Sequence, residues 1–82
     1  MPWFFLHLRM GDELMEDLEG EEFISLEAAR VEAIAAAREI MSKQIRRGEL
    51  PERNSCFEII DHDGHPVLTV AFHEALPRQA AG

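Results

Sequence analysis

Residues 25–48 read SLEAARVEAIAAAREIMSKQIRRG, and the reading of this stretch decides the architecture. From Leu26 to Arg47 it contains neither glycine nor proline and is rich in alanine, the strongest helix former. Leu26, Ala29, Ala33, Ala36, Ala37, Ile40, Met41 and Gln44 recur at helical spacing and form one face. Ser25 stands where a hydroxyl can cap the first free amides, and Ile24 where an apolar side chain can staple the entry. Glu27 in the first turn and Lys43, Arg46 and Arg47 at the end complement the helix dipole. Gly48 terminates the run, with Pro51 just beyond. The spacing predicts about six turns of helix. A lone helix cannot bury its apolar stripe, so the remaining segments must provide a layer for it.

Those segments read as strands. Pro2–Met10 (PWFFLHLRM) is aromatic and branched, and apolar on both parities up to Leu6, the pattern of a central strand. Met10-Gly11-Asp12 supplies a turn. Glu13–Asp17 (ELMED) returns as a weak strand whose charges suit a sheet edge. Glu19-Gly20-Glu21-Glu22 breaks it, and Phe23-Ile24 leads into the helix. Beyond the helix, Glu52–Ser55 is a short connection and Cys56–Asp61 a strand. Asp61-His62-Asp63-Gly64-His65 forms a hairpin turn, and Pro66–His73 is the partner strand. The element order β-β-α-β-β predicts an α+β fold: a four-stranded antiparallel sheet with one long helix on one face. Hairpin pairing and a right-handed crossover give the strand order 2-1-3-4, numbered along the chain. Residues 1–76 form one domain in this reading, and residues 77–82 (PRQAAG) a flexible tail.

Charge narrows the function classes. The 82 residues carry 16 acidic and 8 basic side chains, a formal charge of -8. Residues 1–24 hold seven acids and one base, residues 26–48 three acids and five bases, and residues 49–82 six acids and two bases. A protein that neutralises phosphates needs the opposite balance, so nucleic acid is not an expected partner. Cys56 is the single cysteine, so no intramolecular disulfide forms, which favours a reducing cytoplasm. The start MPWFFLHLR lacks the pattern of a secretory leader. The longest apolar runs, Trp3–Leu6 and Ala33–Ala37, fall far short of the ~20 residues of a membrane helix, so no membrane partner is expected.

Strand parity assigns each side chain to a face. Phe4, Leu6, Leu8, Phe57, Ile59, Leu68, Val70 and Phe72 should lie under the helix. The other face should carry Trp3, Phe5, His7, Arg9, Glu58, Ile60, Val67, Thr69, Ala71 and His73. Such an apolar patch calls for a cover. A second copy of the chain, related by a two-fold axis, is the simplest one. The interface would then comprise Trp3, Phe5, His7, Arg9, Ile60, Val67, Thr69 and His73. The C-terminal tail, the 18–24 loop, an unknown protein partner or a small ligand are the other possible covers.

No catalytic constellation emerges, and neither a metal nor a cofactor is expected. His7 and His73 share the predicted open face and are the basis of an alternative reading, a small-ligand or metal site, although their strands are not adjacent. His62 and His65 read as solvated turn histidines beside Asp61 and Asp63. A calcium loop starting at Asp61 would need glycine where Pro66 stands and glutamate where Phe72 stands. The glycines are isolated, so no phosphate loop exists, and Cys56 reads as a small core or rim residue. Glu13, Glu16, Asp17, Glu19, Glu21 and Glu22 read as a solvated acidic face. Arg30 interrupts the helix stripe; it reads either as a snorkelling side chain with its stem on the sheet or as one half of an ion pair with Asp17 or Glu19. A third reading takes the acidic charge and small size as those of an antitoxin-like protein that sequesters a basic partner.

The opening MPWFFLHLRMGDELMEDLEG, the helix LEAARVEAIAAAREIM and the hairpin FEIIDHDGHPVLTVAF together resemble a family of small uncharacterised bacterial proteins common in alphaproteobacteria. Its members open with Met-Pro, two aromatics and a His, followed by a Gly-Asp turn and an acidic return. The resemblance runs over roughly residues 1–75 and is carried by His7, Gly11-Asp12 and Leu26–Arg30. Trp3 stands where a polar or basic residue is usual, and Met10 where an acid is common, which makes this open face more apolar. The resemblance implies no activity, and it points to His7 as a residue of interest beyond packing. From the residues and the resemblance together, the expected protein is a cytoplasmic, non-enzymatic interaction or regulatory module that pairs with itself.

Overall fold

A computed structural model describes residues 1–50 and 54–76. Strand β1 (Trp3–Met10) is followed by β2 (Glu13–Met15), β3 (Glu21–Glu22), helix α1 (Leu26–Arg46), β4 (Cys56–Asp61) and β5 (Pro66–Ala71). A 3-10 turn, Phe72–Ala75, follows β5 directly. Among the described residues the fold is α+β with one helix and an antiparallel sheet, as expected, but the sheet has five strands rather than four. Its path is β2-β1-β4-β5, and β3 pairs with β1 off that path. The expected return strand Glu13–Asp17 ends at Met15, and Glu21–Glu22, expected as part of a break, pairs with β1 as β3. β2 covers Leu8–Met10 of β1, and β3 covers Trp3 and Phe4. The stretch between them leaves the ladder, because Asp17 and Gly20 build a turn there.

Ser25 caps α1 as read, its Oγ accepting from the N–H of Ala28 at 3.1 Å. The staple is a correction: Ile24 is exposed, and Phe23 is the buried residue, its ring centroid 6.3 Å from that of Phe4. The Phe23 N–H donates to the Pro2 carbonyl at 3.0 Å, which turns residue 23 inward and residue 24 outward. Arg47 is the C-cap, and Gly48 follows in the left-handed region. Pro51 and the tail 77–82 lie outside the described residues.

The helix buries Ala29, Ala33, Ala37, Met41 and Gln44. Three alanines at four-residue spacing lay an almost bare backbone on the sheet, over Ile59 and Val70, and all five are fully buried. Phe4, Phe57 and Phe72 complete the core, with Leu6, Leu8 and Leu68 packed against it. The residues assigned to the helix side are therefore on that side. A register shift at Ile59/Ile60 leaves Val67 without a partner on β4. Among the described residues, no helix is long and apolar enough to cross a membrane.

Candidate functional site

The face turned away from the helix is built from cross-strand partners, which project to the same side of a sheet. Phe5 stands opposite Ile60, His7 opposite Glu58 and then Thr69, and Arg9 opposite Cys56 and then Ala71. Trp3 pairs with Glu22 at one corner and Leu14 with Arg9 at the other. Trp3, Phe5, His7, Arg9, Ile60 and Thr69 thus belong to one surface, and Val67 stands at its rim, at the register shift of β5. His73 does not. β5 ends at Ala71, and His73 falls in the 3-10 turn, where Phe72 and Ala75 are buried and His73 is exposed. The Phe72 N–H donates to the Ser55 carbonyl, and the Ala71 N–H is taken at 2.9 Å by Glu74 Oε2. That cap turns the chain out of the strand, so a site shared by His7 and His73 on the sheet has no support.

The predicted ion pair of Arg30 with Asp17 or Glu19 is also corrected. Arg30 meets Glu27 at 3.2 Å on its own helix and Glu74 at 3.9 Å. The Asp17 carboxylate is occupied elsewhere. Its Oδ2 accepts from the Leu6 N–H and its Oδ1 from the Gly20 N–H, both at 3.1 Å. Its own N–H donates to His7 Nδ1 at 3.0 Å. The cause lies in the divided edge. Leu6 falls in the gap between the β1 residues that pair with β2 and those that pair with β3, and a half-buried strand amide needs an acceptor. Asp17 supplies one. Gly20, at φ +68°, closes the turn, and a Cβ there would collide with Trp3 Nε1 and stand 2.8 Å from the Phe5 ring. Residues 16–20 therefore lie as a partial roof over one end of the open face. The spacing Asp17-x-x-Gly20 is the signal that could have revealed this, since Asp opens and Gly ends a common turn.

His7 Nδ1 accepts the Asp17 N–H, so this ring nitrogen is engaged within the fold and holds the 16–20 segment against β1. Arg9 Nε donates to Glu58 Oε2 at 2.8 Å, and this bond, with the Glu58 charge, raises the guanidinium pKa. Burial pushes the Cys56 thiol up, and Glu58 adds to the effect.

Between the partial roof and the β4–β5 turn lies a cleft of about 250 Å³. Phe5, His7 and Ile60 line it together with Glu16, Asp17 and Leu18 on one side and Asp61, His62 and Gly64 on the other. It contains three carboxylates and no lysine or arginine. Asp61 closes the turn: its Oδ1 accepts from the His65 N–H at 2.8 Å and the Asp63 N–H at 3.0 Å. The His65 bond, chiefly, holds its carboxyl below the ordinary carboxylate range. Asp61, Asp63 and His65 also place donor atoms within 4.8 Å of one another, on a turn where Asp63 and His65 are solvated.

Fold and surface together define a small α+β domain, with one helix among the described residues, whose open sheet face is partly covered and carries an acidic cleft at one end. The chain belongs to the family described as Domain of unknown function (DUF6894), which matches residues 3–73. That span runs from β1 into the 3-10 turn. Neither a curated protein nor a solved structure matches the chain.

Proposed function

We propose that the protein is a non-enzymatic interaction module that self-associates through the open sheet face. One observation carries the reading. After residues 16–20 have packed, Trp3, two residues along β1 from Phe5, is still 37 % exposed, and Val67, next to the Ile60–Pro66 pair, is 39 % exposed. Leu18, on the roof itself, is 83 % exposed. Apolar side chains from three segments thus border a single patch, which a two-fold related copy would cover with the same residues. The Asp17 N–H held by His7 Nδ1 supports a role for His7 in building the surface.

Light scattering on a concentration series tests the reading. The expected mass is twice the 9.3 kDa chain for the wild type. Trp3→Glu and Val67→Glu are expected to be folded monomers by far-UV circular dichroism. A wild-type chain that stays monomeric up to roughly millimolar concentration, the range of the weakest specific contacts, would overturn it.

A further inference from the structure

We infer that Arg9 of a second copy occupies the acidic cleft, and that the first copy's Arg9 enters the partner's cleft in return. The inference rests on the self-association proposed above and names the contact that orients it. Among the described residues, Arg9 is the only lysine or arginine on the strands; the other cations lie on α1 or at its end. Its side chain is 40 % exposed. Only Nε is engaged, by Glu58, and the two terminal nitrogens make no hydrogen bond to a described residue. The guanidinium is therefore held at its base, with its donor fork free. A planar fork of this kind suits carboxylates and aromatic rings.

The cleft has the opposite character. Glu16, Asp17 and Asp61 line it with His7 and His62 and with no lysine or arginine, over a floor of Phe5 and Ile60; Asp17 and Asp61 already accept backbone N–H groups, which leaves Glu16 as the acid with no bond to a described residue. At about 250 Å³ it is smaller than the ~300–1,000 Å³ of typical small-molecule sites. One long side chain suits it better, with methylenes on the apolar floor and its head among the acids. A chain's own Arg9 is badly placed for this. It stands four residues along β1 from Phe5, roughly 13 Å at the usual strand rise, and its Nε is tied to Glu58.

Symmetry removes the difficulty. The His7–Glu58–Thr69 row lies midway between the Phe5–Ile60 row and the Arg9–Cys56 row. A two-fold axis across the strands at that middle row reverses the partner's strand direction. The partner's Arg9 then comes to rest over Phe5 and Ile60, and the reciprocal contact follows without further assumption. The two acidic subunits meet where each offers its one strand cation.

The experiment measures dimer dissociation by sedimentation equilibrium. Arg9→Glu and Glu16→Lys should each weaken the wild-type dimer by roughly tenfold or more, as expected for a repulsive charge at an interface. The double variant Arg9→Glu with Glu16→Lys reverses both members of the contact and should recover most of the loss. Glu58→Gln frees Arg9 from its own strand neighbour and should leave the dimer intact. Circular dichroism and Trp3 emission verify each fold, and Arg9→Gln replaces Arg9→Glu if the latter unfolds. Dimers of Arg9→Gln as tight as wild type, or a double variant no better than its parents, would sink the inference. In either case, loss of the dimer in Trp3→Glu keeps the open-face reading. A wild-type monomer at every concentration removes both.

Discussion

The backbone N–H of Asp17 donates to Nδ1 of His7 at 3.0 Å, while the carboxylate of Asp17 accepts the strand amide of Leu6 at 3.1 Å. One residue therefore ties the 16–20 segment to two successive positions of β1, one through its main chain and one through its side chain. Asp17→Ala leaves the half-buried Leu6 amide without a partner, and the expected loss is about 1–3 kcal/mol. Asp17→Asn, which keeps one acceptor, should lose less. His7→Ala removes the other tie. Because both ties hold the same segment, the double variant should lose less than the sum of the singles. Urea unfolding of the four proteins checks it, and strict additivity would show that the two ties are independent.

Gly20 is the position where the roof touches the sheet. Alanine there meets two penalties: a backbone in the left-handed region, at φ +68°, and a methyl group driven into Trp3 and Phe5. The expected cost for Gly20→Ala is roughly 1–3 kcal/mol, the range for strained backbone and overpacking. Gly48, also at positive φ, has open space around its added methyl, so Gly48→Ala meets only the first penalty. The near-ultraviolet signal of Trp3 should change in Gly20→Ala and not in Gly48→Ala. Equal loss in the two would mean that the collision with the ring is relieved without consequence.

Arg30 and Glu74 separate two kinds of contact. Arg30 reaches Glu27 and Glu74 on partly solvated surface, where ion pairs contribute ~0–1 kcal/mol. Glu74 also accepts the N–H of Ala71 at 2.9 Å, which closes the start of the 3-10 turn. Glu74→Ala should therefore destabilise more than Arg30→Ala. Thermal melts of the two variants decide this, and the opposite order would make the ion pair, not the turn closure, the important contact.

Much of this fold was legible because its strongest signals are periodic. Alanines at four-residue spacing predict a helix lying close to its sheet, and Ala29, Ala33 and Ala37 do so. Alternation in β1 and β4 placed Phe4, Phe57 and Ile59 under the helix and Phe5 and Ile60 away from it. Periodicity carries no information where the chain leaves a ladder, and the misreadings gather there. His73 sits two residues past the end of β5, where Glu74 captures an amide and ends the alternation. Asp17 reads as a solvated acid in the sequence, because its partners are main-chain amides that no side-chain pattern announces. Arg30 has acids within reach along its own helix and from the 3-10 turn, and sequence distance does not rank them. The cleft was not visible at all: it exists because the 16–20 roof and the 61–64 turn face each other across Phe5 and Ile60.

Asp61 predicts a definite pH dependence. Backbone N–H groups of His65 and Asp63 bond its carboxylate, so its folded pKa lies below the ordinary 3.8. A depressed carboxylate contributes stability that is fully present above the unfolded value and is lost as pH falls through the folded one. Asp61→Asn lacks the charge at every pH. The gap in urea midpoint between wild type and Asp61→Asn should be constant at neutral pH and shrink below pH 3.8. A gap that does not close under acid would assign the difference to shape rather than charge.

Cys56 reports on the electrostatics of the open face from inside it. Burial raises the thiol pKa, Glu58 raises it further, and Arg9 opposes both. In the folded protein, alkylation by iodoacetamide should be slow at neutral pH, because the thiolate is the nucleophile. Its rate profile should rise at higher pH than in urea-unfolded protein. Glu58→Gln removes a raising charge and should move the profile down toward the unfolded one. Arg9→Gln removes the opposing charge and should move it up. Steric shielding alone would slow the reaction equally at all pH values and leave the midpoint in place for all three proteins. Opposite displacements in the two variants would place Arg9 and Glu58 at the thiol as an electrostatic pair.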